Sequence, residues 1–494
     1  MKRIWIAVGI MAAGAAGAHA AERAGVAPTF NTDVAPILYN NCVVCHREGS
    51  AAPMSLMSYT DVRPWARAIK RKVASREMPP WFADARYGEF RNSRGLSADQ
   101  IATLTSWVDA GAPEGTGKAP AAPPMADGWM HPSGRPPDMV IPMPLEFKVP
   151  AQGELPNFTI YQELNFPDDL FVEAVQLKPG NMALVHHSSG GIRDLPKGTK
   201  LGTGEAWPGG PISSHVPVPI DGTTKVDNRG DRTEAEAATA QRTVAAADAF
   251  AVAGTSHMVF YVPGGGFEQW HDGVGKRIRK GQYLAWGLHY TPTGRPETDR
   301  SVVGLWLHKQ PATHEVLTRR VGETHIAEAV ELVKDDKTPV VGTTLGSGGA
   351  ATPSIPNIPP NARGWKLTGI TAFRDDVTLY LAWPHMHLRG KDMTFIITYP
   401  DGREEVVLHV PKYDFNWQLQ YEYAKPIRIP AGSTIKTVGS YDNSSANRYN
   451  PAPGKEVYWA EQSWDEMFNG WIDYSVDKLD LRLEKKADST ESRK

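Results

Sequence analysis

The stretch VTLYLAWPHMH, residues 377–387, decides how most of this chain reads. β-branched and aromatic residues dominate it, and its single proline falls near the end, so it reads as a strand rather than a helix. It closes on His-x-His. Two residues apart on a strand, His385 and His387 project from the same face and can chelate one ion. Working outward, DLFVEAVQL (169–177), YLAWGLHYTP (283–292) and SVVGLWLHK (301–309) have the same character. MTFIITYPDGREEVVLHV (393–410) reads as a hairpin with Pro-Asp-Gly at its turn. Many short strands between residues 128 and 482 imply two β-sandwiches, over 128–315 and 316–482. The stretch 194–253 breaks the pattern, and its Ala-rich part, TEAEAATAQRTVAAADAF (233–250), suggests a long insertion with a helix inside it.

Three further places in this β region carry nitrogen or sulfur ligands. GNMALVHHSSGG (180–191) has adjacent histidines, which a regular strand sends to opposite faces. For His186 and His187 to hold one metal, the strand must end or kink there, and Ser-Ser-Gly-Gly permits that. His289 lies at the end of an apolar strand. Met467, in SWDEMFNGW (463–471), sits in a polar segment where a purely packing methionine is out of place. Singly, each has an ordinary structural reading. Together, three histidines suit copper in either oxidation state, while two histidines plus a thioether favour Cu(I). Met386, between the paired histidines, points away from any metal by strand alternation.

The N-terminal part is different. MKRIWIAVGIMAAGAAGAHA (1–20) has a basic start, a short apolar run and a small-x-small ending, so it reads as a secretory signal cut after Ala20. The mature protein is then periplasmic or secreted, with no further segment long enough to span a membrane. The chain's only two cysteines lie in NCVVCHREGS (41–50). Cys42-x-x-Cys45-His46 is the c-type haem attachment pattern, in which two thiols add to the haem vinyls and the imidazole binds iron. A thioredoxin-like pair or half a zinc site are the competing readings, but neither needs His46 and no second cysteine pair exists. SREMPPWFADARYGEF (75–90) offers Met78 as the second axial ligand, held by two prolines and Trp81; Met54 and Met57 read as packing near the haem edge. LSADQIATLTSWVDAGAPEG (96–115) starts on a helix cap, follows helical spacing and stops at Gly111. Residues 21–117 would then be a small α-helical domain, followed by a Pro/Ala/Gly linker over 118–127.

At 494 residues the chain is too long for one core. A formal net charge of −2, without a long basic stretch, argues against nucleic acid as a partner. Forty prolines, 46 glycines and 15 tryptophans favour turn-rich β structure over helical bundles. The last residues, 483–494, form a charged tail.

With these motifs in view, residues 28–117 resemble a class I cytochrome c domain. Residues 128–476 resemble the copper type II, ascorbate-dependent monooxygenases, the family of peptidylglycine hydroxylating and dopamine β-monooxygenases. Its histidine-rich copper site has a His-His pair and a third histidine before a tyrosine, matched by His186, His187 and His289. Its oxygen-activating copper has a His-x-His and a methionine in an Asp-Glu-Met setting, matched by His385, His387 and Met467. PGNMALVHH, RSVVGLWL and YDNSSANRYNP agree with the family in their positions.

The resemblance implies two jelly-roll-like sandwiches after a small α-helical cytochrome c domain, with one copper in each sandwich facing a solvent-filled cleft. It implies O2 binding and C–H hydroxylation at the methionine-bearing copper, with the other copper delivering an electron. The chain departs from the family in three ways. It has no cysteines left for the disulfides of the animal enzymes. Trp383 stands where the peptide-amidating members use a carboxylate-binding arginine, so an aromatic or apolar substrate is expected rather than a peptide glycine. The fused haem motif suggests that electrons enter through one haem c, supplied by an ascorbate-like reductant or a redox protein. The expectation is thus an exported haem- and copper-dependent monooxygenase acting on a small organic substrate; the competing one is a non-catalytic haem/copper electron-transfer or copper-binding protein.

Overall fold

The computed structural model describes residues 27–122, 128–194, 256–321, 340–341 and 357–481, apart from 49, 51, 53, 154, 156–157, 263–264, 311 and 460–462. The expected signal segment, the insertion over 194–253 beyond its first residue, His215, His325 and the charged tail lie outside the described residues. The chain divides into two units, one from Met1–Pro80 and Arg94–Pro123, the other from Trp81–Ser93 and Pro124–Lys494.

The first unit holds short helices, Ala35–Asn41, Tyr59–Val62, Ala66–Ala74 and Ala98–Asp109. The last starts on a complete capping box, with Ser97 and Gln100 exchanging side-chain and backbone hydrogen bonds. Phe30, Leu38, Val62, Val73, Leu104 and Trp107 form its core, and Met54 and Met57 pack against the edge of it. These elements do not amount to the cytochrome c helical domain expected here. The helix leading into Cys42-x-x-Cys45-His46 ends at Asn41, and the motif lies in turns and a bend. The local reason is legible: Val43 and Val44 follow the first cysteine, and β-branched residues are poor helix continuers.

Segment 81–93 also leaves the helical unit. Trp81 packs edge-on against Tyr421 with ring centroids 5.0 Å apart, and Phe90 lies 5.5 Å from Tyr421 and 5.4 Å from Tyr423. Burying these aromatic faces outweighs continuity with the neighbouring chain.

The second unit is mostly β, and it corrects the expected pair of jelly rolls. Among the described residues its strands form four small sheets of four to six strands in a four-bladed arrangement, with a two-stranded ribbon besides. The first sheet contains Leu170–Lys178 and Val302–Leu307; the second contains Phe158–Glu163, Val185–Arg193, Ser256–Tyr261 and Tyr283–Tyr290. Val172, Leu177, Val303 and Leu305 of the first meet Ile160, Ile192, Trp286 and Leu288 of the second in one core. The third sheet orders Leu317–Arg320, Asn469–Val476, Val377–His385 and Tyr421–Ile429; the fourth includes Arg363–Ala372, Gly390–Thr398, Glu404–Val410 and Thr434–Asp442. Leu379, Ile429 and Ile472 of the third meet Leu367, Phe395, Ile397 and Ile435 of the fourth in another core. Register shifts interrupt the ladders at Gly190/Gly191, Trp306/Leu307, Leu379/Leu381 and Phe395/Ile396. Each bends its strand, so the sheets stay small.

One of these irregularities and a further one at Val185/His187 set the candidate functional faces. Strand Val377–His385 slips register at Tyr380. Before the slip Val377 and Leu379 enter the core, whereas after it Ala382 and Met386 do. The slip therefore turns Leu381, Trp383 and His385 away from that core. In strand Val185–Arg193 a second slip leaves His186 unmatched between the pairs Val185–Tyr290 and His187–His289.

Candidate metal centres

The slip at His186 supplies the kink that the adjacent histidines require. His187 and His289 are direct cross-strand partners, so their side chains stand together on one face. The extra residue brings His186 to the same side. The Nδ1 atoms of His186 and His187 are 3.1 Å apart, and those of His187 and His289 are 3.3 Å apart. One ligand atom from each of the three lies within 4.8 Å of the others. Burial lowers the pKa of all three, to about 3 for His289 and well below the usual range for His187, where the neighbouring imidazoles add to the effect. The rings are therefore neutral near pH 7 and offer lone pairs at one point. This is a fitting donor set for a borderline metal such as copper.

His385 closes its strand and His387 follows it, with ring centroids 5.4 Å apart. Met386 between them is fully buried in the core, and the Tyr413 hydroxyl donates to its carbonyl at 2.7 Å. The two imidazoles are oriented from behind. His385 Nδ1 lies 2.5 Å from Gln418 Oε1, and His387 Nδ1 lies 3.3 Å from the Asp465 carbonyl. Both partners are acceptors, so each Nδ1 carries the proton and each Nε2 is left free for a ligand. Burial lowers the His385 pKa to about 4, against the opposing pull of Gln418, and keeps His387 well below its usual value.

Met467 belongs to the neighbouring segment, half-buried. Asn469, the register partner of His385, directs its Nδ2 at the Met467 sulfur at 3.4 Å. Glu466 ties this segment to the histidines: its carboxylate accepts from the backbone N–H of His387 at 2.8 Å, of Arg389 at 2.6 Å and of Met467 at 3.3 Å. Burial raises the Glu466 pKa to about 7 despite Arg389 and those donors.

The two ligand sets share walls. The Phe415 ring lies 5.7 Å from His186, 6.4 Å from His187 and 5.8 Å from His387. Phe260 lies 5.8 Å from His187 and 6.3 Å from His385. Phe415 and Phe260 thus each lie against histidines of both sets. Beside them Phe260, Val262, Leu381 and Trp383 make a small apolar cluster with Trp471. His257 joins it, 5.0 Å from Trp383.

Gln418, Phe415, Phe260 and His257 were not singled out in the sequence. A lone glutamine or phenylalanine in a loop carries no signal of what it will face. Other histidines without a motif have ordinary partners: His271 meets the Tyr423 carbonyl, His308 that of Val274 and His314 that of Asp477.

In the helical unit, Cys42 and Cys45 are free and half-buried, and burial pushes both thiols up, Cys42 to about 12. The backbone N–H groups of Cys45 and His46 both bond the Cys42 carbonyl, so the motif closes as a turn. His46 Nδ1 is buried without a hydrogen-bond partner among the described residues. Met78 is half-buried and lies outside the helical core, which leaves its thioether uncommitted to packing there. Two thiols and an imidazole in one turn fit covalent haem attachment.

No protein-family model matches the chain, and no curated protein matches it. Among solved structures, one of infectious bursal disease virus, Gx strain, is 8% identical, covering 69% of this chain and 73% of that one, with a TM-score of 0.17. The stem and receptor-binding domain of spike protein P1 from bacteriophage PM2 is also 8% identical, covering 69% and 91%, with a TM-score of 0.12. Neither likeness bears on fold or chemistry.

Proposed function

We propose that this protein is an exported copper-dependent monooxygenase that hydroxylates a C–H bond of a small organic substrate with O2, receiving electrons through haem c on Cys42, Cys45 and His46. The observation that carries the reading is the pairing of two unlike ligand sets in one unit. His186, His187 and His289 offer three nitrogens within 4.8 Å, and His385 and His387 hold their Nε2 atoms free in the same neighbourhood as Met467. Three imidazoles accommodate copper through a redox cycle, whereas a thioether with two imidazoles favours the reduced ion. Copper, when bound, would supply one-electron steps and O2 activation. The chain's own residues keep the imidazoles neutral by burial, orient them through Gln418 and Asp465, and limit water with Phe260, Phe415 and Trp383. Met78 would help to hold the haem by supplying a second ligand to its iron. The electron donor is an ascorbate-like reductant or a redox protein.

Metal analysis and the reduced-minus-oxidised optical spectrum of exported protein test this, followed by O2 uptake with candidate C–H substrates. The expected result is one haem c and two coppers per chain, with O2 consumed in step with hydroxylation. Haem without copper after copper-replete export would overturn the enzyme. Reversible redox cycling with no substrate-linked O2 uptake would leave an electron-transfer protein.

A further inference from the structure

Gln418 comes from the loop between strands Glu404–Val410 and Tyr421–Ile429, and this one loop touches both ligand sets. Tyr413 bonds the backbone of Met386 between the two paired histidines, Phe415 lies against His186, His187 and His387, and Gln418 reaches His385. Gln418 is only 2% exposed and has φ +24°, an unusual backbone setting for a residue other than glycine. A residue keeps such a setting when its surroundings over-determine it. Here the surroundings are turn bonds from Trp417 and Gln418 N–H to the Asp414 carbonyl, and the 2.5 Å contact with His385.

We propose that Gln418 is a positioning residue that fixes His385 in the Nδ1–H tautomer and so presents Nε2 to the metal. The inference rests on the copper reading above and adds to it the residue that sets one ligand's orientation. An imidazole without that acceptor is free to place its proton on Nε2, which blocks coordination, or to turn in its plane. A neutral amide suits the position, because it accepts the hydrogen bond without adding a charge beside a bound cation. The loop also makes the arrangement collective, since the backbone that places Gln418 places Phe415 between the two ligand sets.

Two substitutions test it. Gln418→Glu keeps an acceptor at the same reach, and Gln418→Leu keeps the bulk and removes it. Each is read by 15N histidine NMR of the metal-free protein and by titration with Cu(I) against a chromogenic chelator. In wild type and Gln418→Glu, His385 should show the Nδ1–H tautomer. In Gln418→Leu it should show a mixture, with Cu(I) affinity at His385/His387/Met467 reduced about 10- to 100-fold, the usual effect of losing such a partner. Binding at His186/His187/His289 should not change. A Leu variant with the wild-type tautomer and both affinities intact would overturn the inference, as would a Glu variant that fails like Leu. If wild type binds no copper, the functional reading falls, and the tautomer spectra decide the role of Gln418 by themselves.

Discussion

Burial sets the protonation of the imidazoles at both sites, and single side chains are where most consequences can be measured. His187→Ala removes the middle member of the three-histidine set, so the protein should hold one copper rather than two, counted by metal analysis. Met467→Ala should weaken Cu(I) binding at the second site at least tenfold and Cu(II) binding much less, because the thioether is selective for the softer ion; equal losses for both ions would argue against Met467 as a ligand. Away from the ligands, burial pushes Glu268 up to about 8, with Asp473 adding to the shift. Its folded pKa lies above the unfolded value of 4.5, so the native state holds a proton that the unfolded chain releases. The associated stability is complete below pH 4.5 and is lost as the pH rises through 8. Glu268→Gln should flatten that decline, followed by denaturant unfolding between pH 5 and 9.

At the level of elements, two register slips shape the candidate sites. The slip at Tyr380 turns Trp383 and His385 off the core face, and the slip at His186 gathers adjacent histidines on one side. Neither depends on residues that announce a bulge. Strand Asn469–Val476, which continues from Met467, is held close to its neighbours by small residues. A Cβ on Gly470 would overlap the Thr437 side chain, and one on Gly439 would lie 2.8 Å from the Phe468 ring. Gly470→Ala should therefore cost about 1–3 kcal/mol by overpacking and weaken copper binding at Met467 while sparing the three-histidine set. Chemical denaturation with metal titration separates the two effects. The His-x-His pair was legible because period-two alternation survives locally in a strand. The tie from Glu466 to the His387 and Arg389 backbone was legible only as an acidic pair beside Met467.

For the whole molecule, the shared aromatic walls place the two ligand sets near one another. With both loaded as Cu(II), the EPR spectrum should be broadened beyond the sum of spectra from His187→Ala and His385→Ala; simple additivity would mean that the ions sit far apart. The proposed haem attachment belongs to the helical unit, so Cys42→Ser with Cys45→Ser should abolish covalent haem while leaving the β unit's copper content unchanged. The amino-acid sequence by itself singled out the residues proposed to carry the chemistry, Cys42, Cys45, His46 and the six candidate copper ligands, and determined the β character around the latter. Those follow from residue type and short-range spacing. Only the tertiary structure decided that the strands form four small sheets, that segment 81–93 packs with the β unit, and that Phe415, Phe260 and Gln418 complete the sites. The reason is that sheet order, register slips and aromatic packing join residues up to hundreds of positions apart. Their energies depend on partners that no local pattern names.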